Sequence, residues 1–311
     1  MHDLTIDRAS LIALIIETLN IGISTTLSAA TAQLILKKSA SNLTRHLLVT
    51  LGLIWVLCIA HWIIDIVRAS QAFIDTPGKA IEYYSLVSNS LEAAKDGVYI
   101  TVTLVADHFM IYRLYVVWNR NWVIVIVPML VWIGAAISGY TVTHLLLLAG
   151  DGNLFISSLA PWALTFFAMS LSLNVICTFL IAGRIIWTNS RVRTVRSGQN
   201  YVHTALMILI ESAALYSLSL TVLLVLYDLG LNSQYILLDW TTSLIGIAFS
   251  LIIYRLAMST ANSTPSVSVR SRPDAGYPLT RVNVTHIVEV DNGFDQESST
   301  DKGGSRKLSS V

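Results

Sequence analysis

Ionisable and amide side chains occur inside long apolar stretches of this sequence, and they are the residues that could carry chemistry. The set consists of Glu17, His61, Asp65, Asp107, His108, His144, Asn174, Glu211 and Asp239. In apolar surroundings such groups bind a ligand or a cation, relay protons, or hold helices together by hydrogen bonds. Their positions within the stretches indicate which role each one takes.

Asp107 and Glu211 lie near the middle of their apolar stretches, with apolar residues on both sides. Because a carboxyl group at such a position is costly, we expect both to line an interior cavity for a ligand or an ion. Asn174 stands midway along its stretch among serine and threonine residues. It predicts hydrogen bonds between helices, worth about 1 kcal/mol, and it is a further candidate for the cavity.

His61 and Asp65 are four residues apart, which places them on one face of a helix. The carboxylate could orient the imidazole. A hydrogen-bonded structural pair is favoured over a ligand site or a proton relay, and both alternatives stay open.

Seven apolar segments are long enough to cross a bilayer, which takes about 20 helical residues. In chain order they are Leu11–Leu36, His46–Val67, Leu91–Val117, Trp122–Leu148, Pro161–Trp187, Tyr201–Tyr227 and Ile236–Met258. The chain is 54% hydrophobic and 13% charged, whereas soluble domains are about 45–50% apolar and about 25% charged. The sequence therefore predicts an all-α, polytopic membrane protein with a seven-transmembrane helix bundle over residues 11–258.

Cationic residues gather at one end of the predicted bundle. That end holds Lys37, Lys38, Arg45, Arg113, Arg120, Arg184, Arg191, Arg193, Arg196 and Arg255, and the other holds Arg8, Arg68, Lys79 and Lys95. Because cytosolic loops are enriched in Lys and Arg, we predict an extracellular N-terminus (1–10) and a cytosolic C-terminus, in the plasma membrane rather than an internal one.

Three of the acidic residues lie near predicted exterior helix ends: Glu17, Asp65 and Asp239. A side chain at such a depth reaches water by extending along the helix. Contact with the exterior interface explains these three at least as well as a site does.

The last part of the chain, residues 259–311, changes to Ser, Thr, Asn, Pro and Gly with scattered charge. It predicts a disordered cytosolic tail, with serines near basic residues that would suit phosphorylation. The glycosylation sequons at Asn42, Asn262 and Asn283 fall on the predicted cytosolic side, so we predict that none carries sugar.

Catalytic and cofactor sites are not predicted. An intramembrane zinc hydrolase needs about three converging ligands, and the seventh segment contains no histidine. A retinal Schiff base needs a buried lysine, and segments four to seven contain none. With no phosphate-binding glycine loop and no nucleophile elbow, we expect no metal, no cofactor and no enzymatic activity.

Two groups of arginines mark the predicted cytosolic ends. Arg113 and Arg120 stand beside aromatic residues at the end of the third segment, a composition typical of anchors at headgroup depth. The second group follows the fifth segment and consists of Arg184, Arg191, Arg193 and Arg196. Both favour contact with anionic lipid first and with a cytosolic signalling protein second.

Three sequence blocks occur in order along the segments. They are Tyr112-Arg113-Leu-Tyr-Val-Val-Trp118, then Asn174-Val-Ile-Cys-Thr178 with Arg184-Ile-Ile-Trp187, and Glu211-Ser-Ala-Ala-Leu-Tyr216. The combination resembles a large family of seven-helix proteins from basidiomycete fungi, over about Leu11–Met258. The resemblance implies a seven-helix topology and a shared framework that includes the arginine, asparagine and glutamate of these blocks. It implies no activity.

Three functions stay open at this point. In a receptor-like protein, Asp107 and Glu211 would line a cavity for an unknown small ligand, and the arginines would face a cytosolic partner. A proton- or ion-coupled transporter or channel would use the same acids, although the sequence has neither an inverted repeat nor a pair of broken helices. The third is a non-catalytic membrane scaffold or lipid-binding protein. A formal charge of +1 indicates no nucleic-acid partner.

Overall fold

The computed structural model of the protein describes residues 4–37, 42–85, 90–148, 156–192 and 199–261. The predicted C-terminal tail after residue 261 lies outside the described residues, as do the sequons at Asn262 and Asn283. The described part of the chain is helical and contains no strand, which confirms the predicted all-α class.

Seven long helices and one short helix form the described fold. They are α1 (Ile6–Leu36), α2 (Asn42–Ser70), α3 (Ala80–Ser85), α4 (Ser90–Val117), α5 (Trp122–Leu148), α6 (Ile156–Val192), α7 (Gln199–Asp228) and α8 (Ser233–Ala261). A π-helical turn, Gln71–Asp75, continues α2. The sequence predicted neither this turn nor α3, because both lie between the second and third predicted segments, His46–Val67 and Leu91–Val117.

Six of the long helices are long and apolar enough to cross a membrane: α1, α2, α4, α5, α6 and α8. In α7 the described side chains show a shorter apolar stretch, Ala213–Asp228. Large apolar side chains such as Val123 and Phe179 are more than two-thirds exposed along these helices, as expected where lipid rather than water surrounds them. The architecture is that of a multi-pass integral membrane protein.

Helices α1 and α8 lie side by side in parallel. Asn20 Nδ2 donates to Ser243 Oγ at 3.0 Å, and Ser28 Oγ lies 2.8 Å from Ser250 Oγ. The buried face of α1 consists of Ala9, Ala13, Glu17, Ile21, Ser24, Ser28, Thr31 and Ile35. Most of these residues are small, and small residues let helix backbones approach closely in lipid.

The other long helices alternate in direction along the chain. Antiparallel contacts are Glu17–His61 and Thr25–Trp55 (α1–α2), Asp65–Lys95 and Arg68–Glu92 (α2–α4), Thr101–Tyr140 and Leu104–Trp132 (α4–α5), and Ser170–Tyr216 and Asn174–Ala213 (α6–α7). Parallel contacts are Asp107–Ser170 and Trp118–Leu180 (α4–α6), and Lys95–Asp239 and Phe109–Phe249 (α4–α8). Helices α1, α4, α6 and α8 therefore run in one direction, and α2, α5 and α7 run in the opposite direction.

Aromatic residues fill the centre of the bundle around α4. The ring of Tyr99 makes edge contacts with Phe166 and Phe167 of α6, and Phe109 meets Phe249 of α8 with 4.5 Å between ring centroids. Such edge-on pairs stabilise beyond the area they bury. Helix α4 is thus the central helix, and it positions both of the polar sites described next.

Candidate functional site

Buried ionisable side chains meet where α1, α2, α4 and α8 come together, and we name this group the ionic cluster. Its members are Glu17, His61, Asp65, Arg68, Glu92, Lys95 and Asp239. All of them are at most 5% exposed except Glu92, which is half-buried. The interpretation of Glu17, Asp65 and Asp239 as groups that reach an exterior interface is therefore wrong, since the bundle encloses them.

Lys95 is the centre of the ionic cluster. Its ammonium donates to Asp65 Oδ1 at 2.7 Å and to Asp239 Oδ2 at 2.9 Å. A buried ammonium is tolerated only when it is paired and hydrogen-bonded, and these carboxylates meet that need from two different helices. Lys95 thereby connects α4 to α2 and α8.

Arg68 is the second cation of the ionic cluster. It forms an ion pair with Glu92 of α4 and lies 3.6 Å from Asp65 Oδ1. Its guanidinium carbon is 5.3 Å from the centre of the Tyr84 ring in α3, which is within the range of a cation–π contact. Burial raises the pKa of Tyr84 to about 12, so the phenol is neutral at physiological pH. The sequence placed Arg68 and Lys95 among the cations of the exterior end, whereas both are buried inside the bundle.

His61 is oriented by Glu17 rather than by Asp65. Its Nδ1 lies 2.7 Å from Glu17 Oε1, and its Nε2 lies 3.8 Å from Asp239 Oδ1. Asp65 is engaged by Lys95 instead. The structure thus brings His61 and Asp65 into one cluster, as members of a larger network than the predicted pair.

A second polar site is a small cavity between α4, α6, α7 and α8, which we name the Asp107 cavity. Its volume is about 50 Å³, which is room for a few water molecules. Asp107 and Asn174 line it together with Tyr216 and apolar residues of α8. Buried Asp107 accepts a hydrogen bond from Ser170 Oγ at 2.8 Å, and Ser170 Oγ lies 3.2 Å from the Tyr216 hydroxyl.

Asn174 makes the predicted hydrogen bonds between helices. Its amide donates to the carbonyl oxygen of Ala213 at 3.2 Å and to Ser217 Oγ at 2.9 Å. Both acceptors belong to α7, so this side chain joins α6 to α7 beside the Asp107 cavity. This prediction is confirmed.

Glu211 lies apart from Asp107. Its side chain is exposed, and it is not among the residues that line the Asp107 cavity. At about 100° per residue, Glu211 lies about 160° around α7 from Ala213 and about 140° from Tyr216, which both line the cavity. Its position near the middle of the predicted segment indicated its depth, but depth does not specify which face of the helix the side chain occupies.

The arginines of the predicted cytosolic ends differ in their surroundings. The guanidinium carbon of Arg184 lies over two indole rings, 5.0 Å from the centre of Trp118 and 4.9 Å from that of Trp187, and we name this group the Trp–Arg stack. Arg113 is half-buried and Arg120 is exposed. The side chains of Arg191, Arg193 and Arg196 lie outside the described part of the structure.

Sequence reasoning did not identify Lys95, Arg68, Ser170 or Tyr216 as site residues. One signal was available for the first two. Several segments carry an ionisable residue at a similar distance from the same predicted membrane face, and such residues gain by meeting in the interior. Ser170 and Tyr216 gave no comparable signal, because hydroxyl groups are common in membrane helices.

Comparisons with known proteins give no indication of function for this chain. No protein-family model, curated protein or solved structure matches this chain. The geometry offers a small polar cavity in the middle of the bundle and a separate cluster of buried charges.

Proposed function

We propose that this chain is a receptor-like membrane protein with seven spans, an extracellular N-terminus and a cytosolic C-terminus in the plasma membrane. The Asp107 cavity would take part of a small ligand, and the arginine-bearing ends of α4 and α6 would face a cytosolic partner. The observation that supports this proposal is that the Asp107–Ser170 bond joins α4 to α6, and the Trp–Arg stack joins the end of α4, where Trp118 follows Val117, to α6.

The path between these two contacts is short. Trp118 follows Asp107 by eleven residues, and Arg184 follows Ser170 by fourteen, which correspond to about 16 Å and about 21 Å along a helix. Both helices are continuous between the contacts. A rigid helix transmits a shift at the cavity to its far end.

The fungal seven-helix family is part of the same proposal. The three blocks that carry the resemblance contact one another: Arg184 of the second block stacks on Trp118 of the first, and Asn174 of the second donates to Ala213 of the third. Contact between the blocks supports a shared framework of α4, α6 and α7.

An ion-coupled transporter is the second candidate, and the buried ionic cluster favours it. Against it, none of the long helices is broken in the ranges that the structure describes, whereas transporter sites are commonly built from discontinuous helices. We therefore place it after the receptor-like function.

Distance measurements between spin labels test the proposal. Arg120→Cys and Thr188→Cys put labels at exposed positions near the ends of α4 and α6, and the native Cys58 and Cys177 are buried. In the full-length protein in lipid nanodiscs, Asp107→Asn should change the distance between labels by about 1–2 Å, the usual size of a helix shift. Glu211→Gln, which is exposed and outside the cavity, is the control.

The same samples distinguish the second candidate. An unchanged distance in Asp107→Asn, together with proton or potassium flux in proteoliposomes of the wild type, would refute the receptor-like proposal in favour of transport. An equal change in the Glu211→Gln control would also count against it, since the effect would then be unrelated to the cavity.

A further inference from the structure

One corner of the ionic cluster contains three groups that can bind a metal ion: Glu17, His61 and Asp239. One ligand atom from each lies within 4.8 Å of the other two. The side chains are 0%, 0% and 1% exposed, respectively. They come from α1, α2 and α8, so three helices converge on one point.

The imidazole of His61 presents a lone pair to this point. Because the Glu17 carboxylate at 2.7 Å is an acceptor, Nδ1 carries the proton, and in the neutral ring Nε2 is then an acceptor. Nε2 faces Asp239 Oδ1, another acceptor, at 3.8 Å. Among the described residues, neither Nε2 nor Glu17 Oε2 has a hydrogen-bond partner, and the ammonium of Lys95 lies 2.8 Å from Oδ1.

Lys95 contacts both oxygens of Asp239. Its Nζ lies 2.8 Å from Oδ1 and 2.9 Å from Oδ2, and it also donates to Asp65. A carboxylate oxygen has more than one lone pair, so Oδ1 can bind a second cation beside the ammonium.

The charges of the ionic cluster leave room for that second cation. The four carboxylates of Glu17, Asp65, Glu92 and Asp239 face only two cations, Lys95 and Arg68. The difference is two negative charges, beside a neutral imidazole. Two uncompensated negative charges in a buried site are very costly, and one divalent ion would balance both.

We propose that His61 Nε2 and Asp239 Oδ1 bind a divalent transition-metal ion of the Zn²⁺ class, and that Glu17 orients the imidazole from its other nitrogen. The 3.8 Å between the two ligand atoms suits an ion about 2.0–2.2 Å from each. A histidine that binds a metal commonly donates its second N–H to a carboxylate, which is the arrangement of Glu17 and His61.

The ligand types indicate the class of metal. Imidazole nitrogen favours zinc, iron, copper and nickel, whereas calcium and magnesium prefer sites made of oxygen alone. This inference is independent of the receptor-like proposal, because the ionic cluster and the Asp107 cavity share no residue.

The test measures metal bound to the purified full-length protein after dialysis against Zn²⁺, with Ca²⁺ as the comparison ion. We expect one zinc ion per chain and no calcium. Co²⁺ should replace the zinc and give visible absorption bands typical of mixed nitrogen and oxygen ligands. Absence of bound zinc from the folded wild type would overturn the proposal, and protons would then balance the charge.

Variants locate the site. His61→Gln should weaken zinc binding by more than about 100-fold, whereas Glu17→Gln, which keeps an acceptor oxygen for Nδ1, should weaken it by about 10–100-fold. The control is His144→Gln, whose histidine is exposed on α5 and should bind as the wild type does. Zinc binding that survives in folded His61→Gln would refute the site.

Folding of the variants does not decide the outcome. If His61→Gln does not fold, X-ray absorption of the zinc-loaded wild type gives the answer, because the proposed site requires one histidine nitrogen and carboxylate oxygen at about 2.0–2.2 Å. A spectrum with sulfur ligands or with several histidines would exclude it.

Discussion

Lys95 keeps its charge inside the bundle because two carboxylates bind it at once. Asp65 and Asp239 approach its ammonium from α2 and α8, at 2.7 Å and 2.9 Å. Removal of one member of such a buried group leaves charges without compensation, and this is much more damaging than the loss of a surface ion pair. Single substitutions in the ionic cluster should therefore have large effects on the stability of the protein.

Lys95→Met should lower the free energy of unfolding by about 3–5 kcal/mol, because Asp65 and Asp239 lose their shared cation. Unfolding by denaturant in detergent micelles measures the change. The control is Lys79→Met, since Lys79 is 71% exposed and its replacement should stay within about 0.5 kcal/mol of the wild type. Equal stability of both variants would contradict the role of Lys95 as the buried cation shared by Asp65 and Asp239.

Asn174→Ala should lower the stability by about 1 kcal/mol, the usual size of hydrogen bonds between membrane helices. Two bonds to α7 are lost, one to Ala213 and one to Ser217. Ser172→Ala, at an exposed position on the same helix, serves as the comparison and should have little effect. Matching losses in the two variants would contradict the assigned contact.

Single residues were only partly predictable from the sequence. Asp107 and Asn174 are polar residues of the bundle interior, as expected, because an apolar segment leaves few alternatives for such groups. Glu211 is exposed and Glu17 is buried, against expectation. Distance from a helix end gives depth, but the face that a side chain occupies depends on the neighbouring helices, and these are not readable from one segment.

Small residues at the contact between α1 and α8 allow these two helices to pack closely. At Gly246 of α8, an added Cβ atom would lie 2.7 Å from Ser24 Oγ and 3.3 Å from Cys58 Sγ. Glycine at this position therefore permits three helices to approach one another. The parallel contact of α1 and α8 depends on such small residues more than on apolar burial.

Gly246→Ala should destabilise the protein by about 1–3 kcal/mol, the usual cost of overpacking. Helix propensity acts in the opposite direction, since alanine is favoured over glycine by up to about 1 kcal/mol. The control is Gly52→Ala in α2, where nothing lies within 4 Å of the added atom, and it should be neutral or slightly stabilising. Thermal unfolding of both variants in micelles measures the difference, and a stabilised Gly246→Ala would rule out the close contact.

The elements themselves were largely predictable. Each of the seven predicted segments overlaps a long helix, because about 20 apolar residues have no other stable arrangement in lipid. The short helix α3 and the π-helical turn were not predicted. They lie beside the ionic cluster, where Arg68 and Tyr84 contact each other, and such tertiary contacts leave no periodic signal in a short segment.

Across the whole molecule, α4 links all the polar features. It carries Lys95 of the ionic cluster and Asp107 of the cavity, and Trp118 of the Trp–Arg stack directly follows its last residue; the intervals are about 18 Å and about 16 Å along the axis. Helices α2, α5, α6 and α8 all pack on it. Displacement of α4 would therefore alter the three features together.

The proposed orientation gives a prediction for the whole molecule. Lys79→Cys, at an exposed position before α3, should react with a membrane-impermeant thiol reagent on intact cells. Arg120→Cys, which is exposed between α4 and α5, should react only after the cells are permeabilised. The opposite pattern of labelling would reverse the orientation. The native cysteines are buried, so the unmodified protein is the blank for both measurements.

The pairing of α1 with α8 has a consequence for biosynthesis. The ribosome makes α1 well before α8, so the polar face of α1, with Glu17 and Ser28, has no partner helix until the six helices between them have been made. A nascent chain that stops before Ser233 would leave the carboxyl group of Glu17 without its neighbour Asp239, and the polar face of α1 would contact lipid. We expect the insertion machinery to retain such fragments and quality-control proteases to remove them, so that only full-length chains leave the organelle in which they are made.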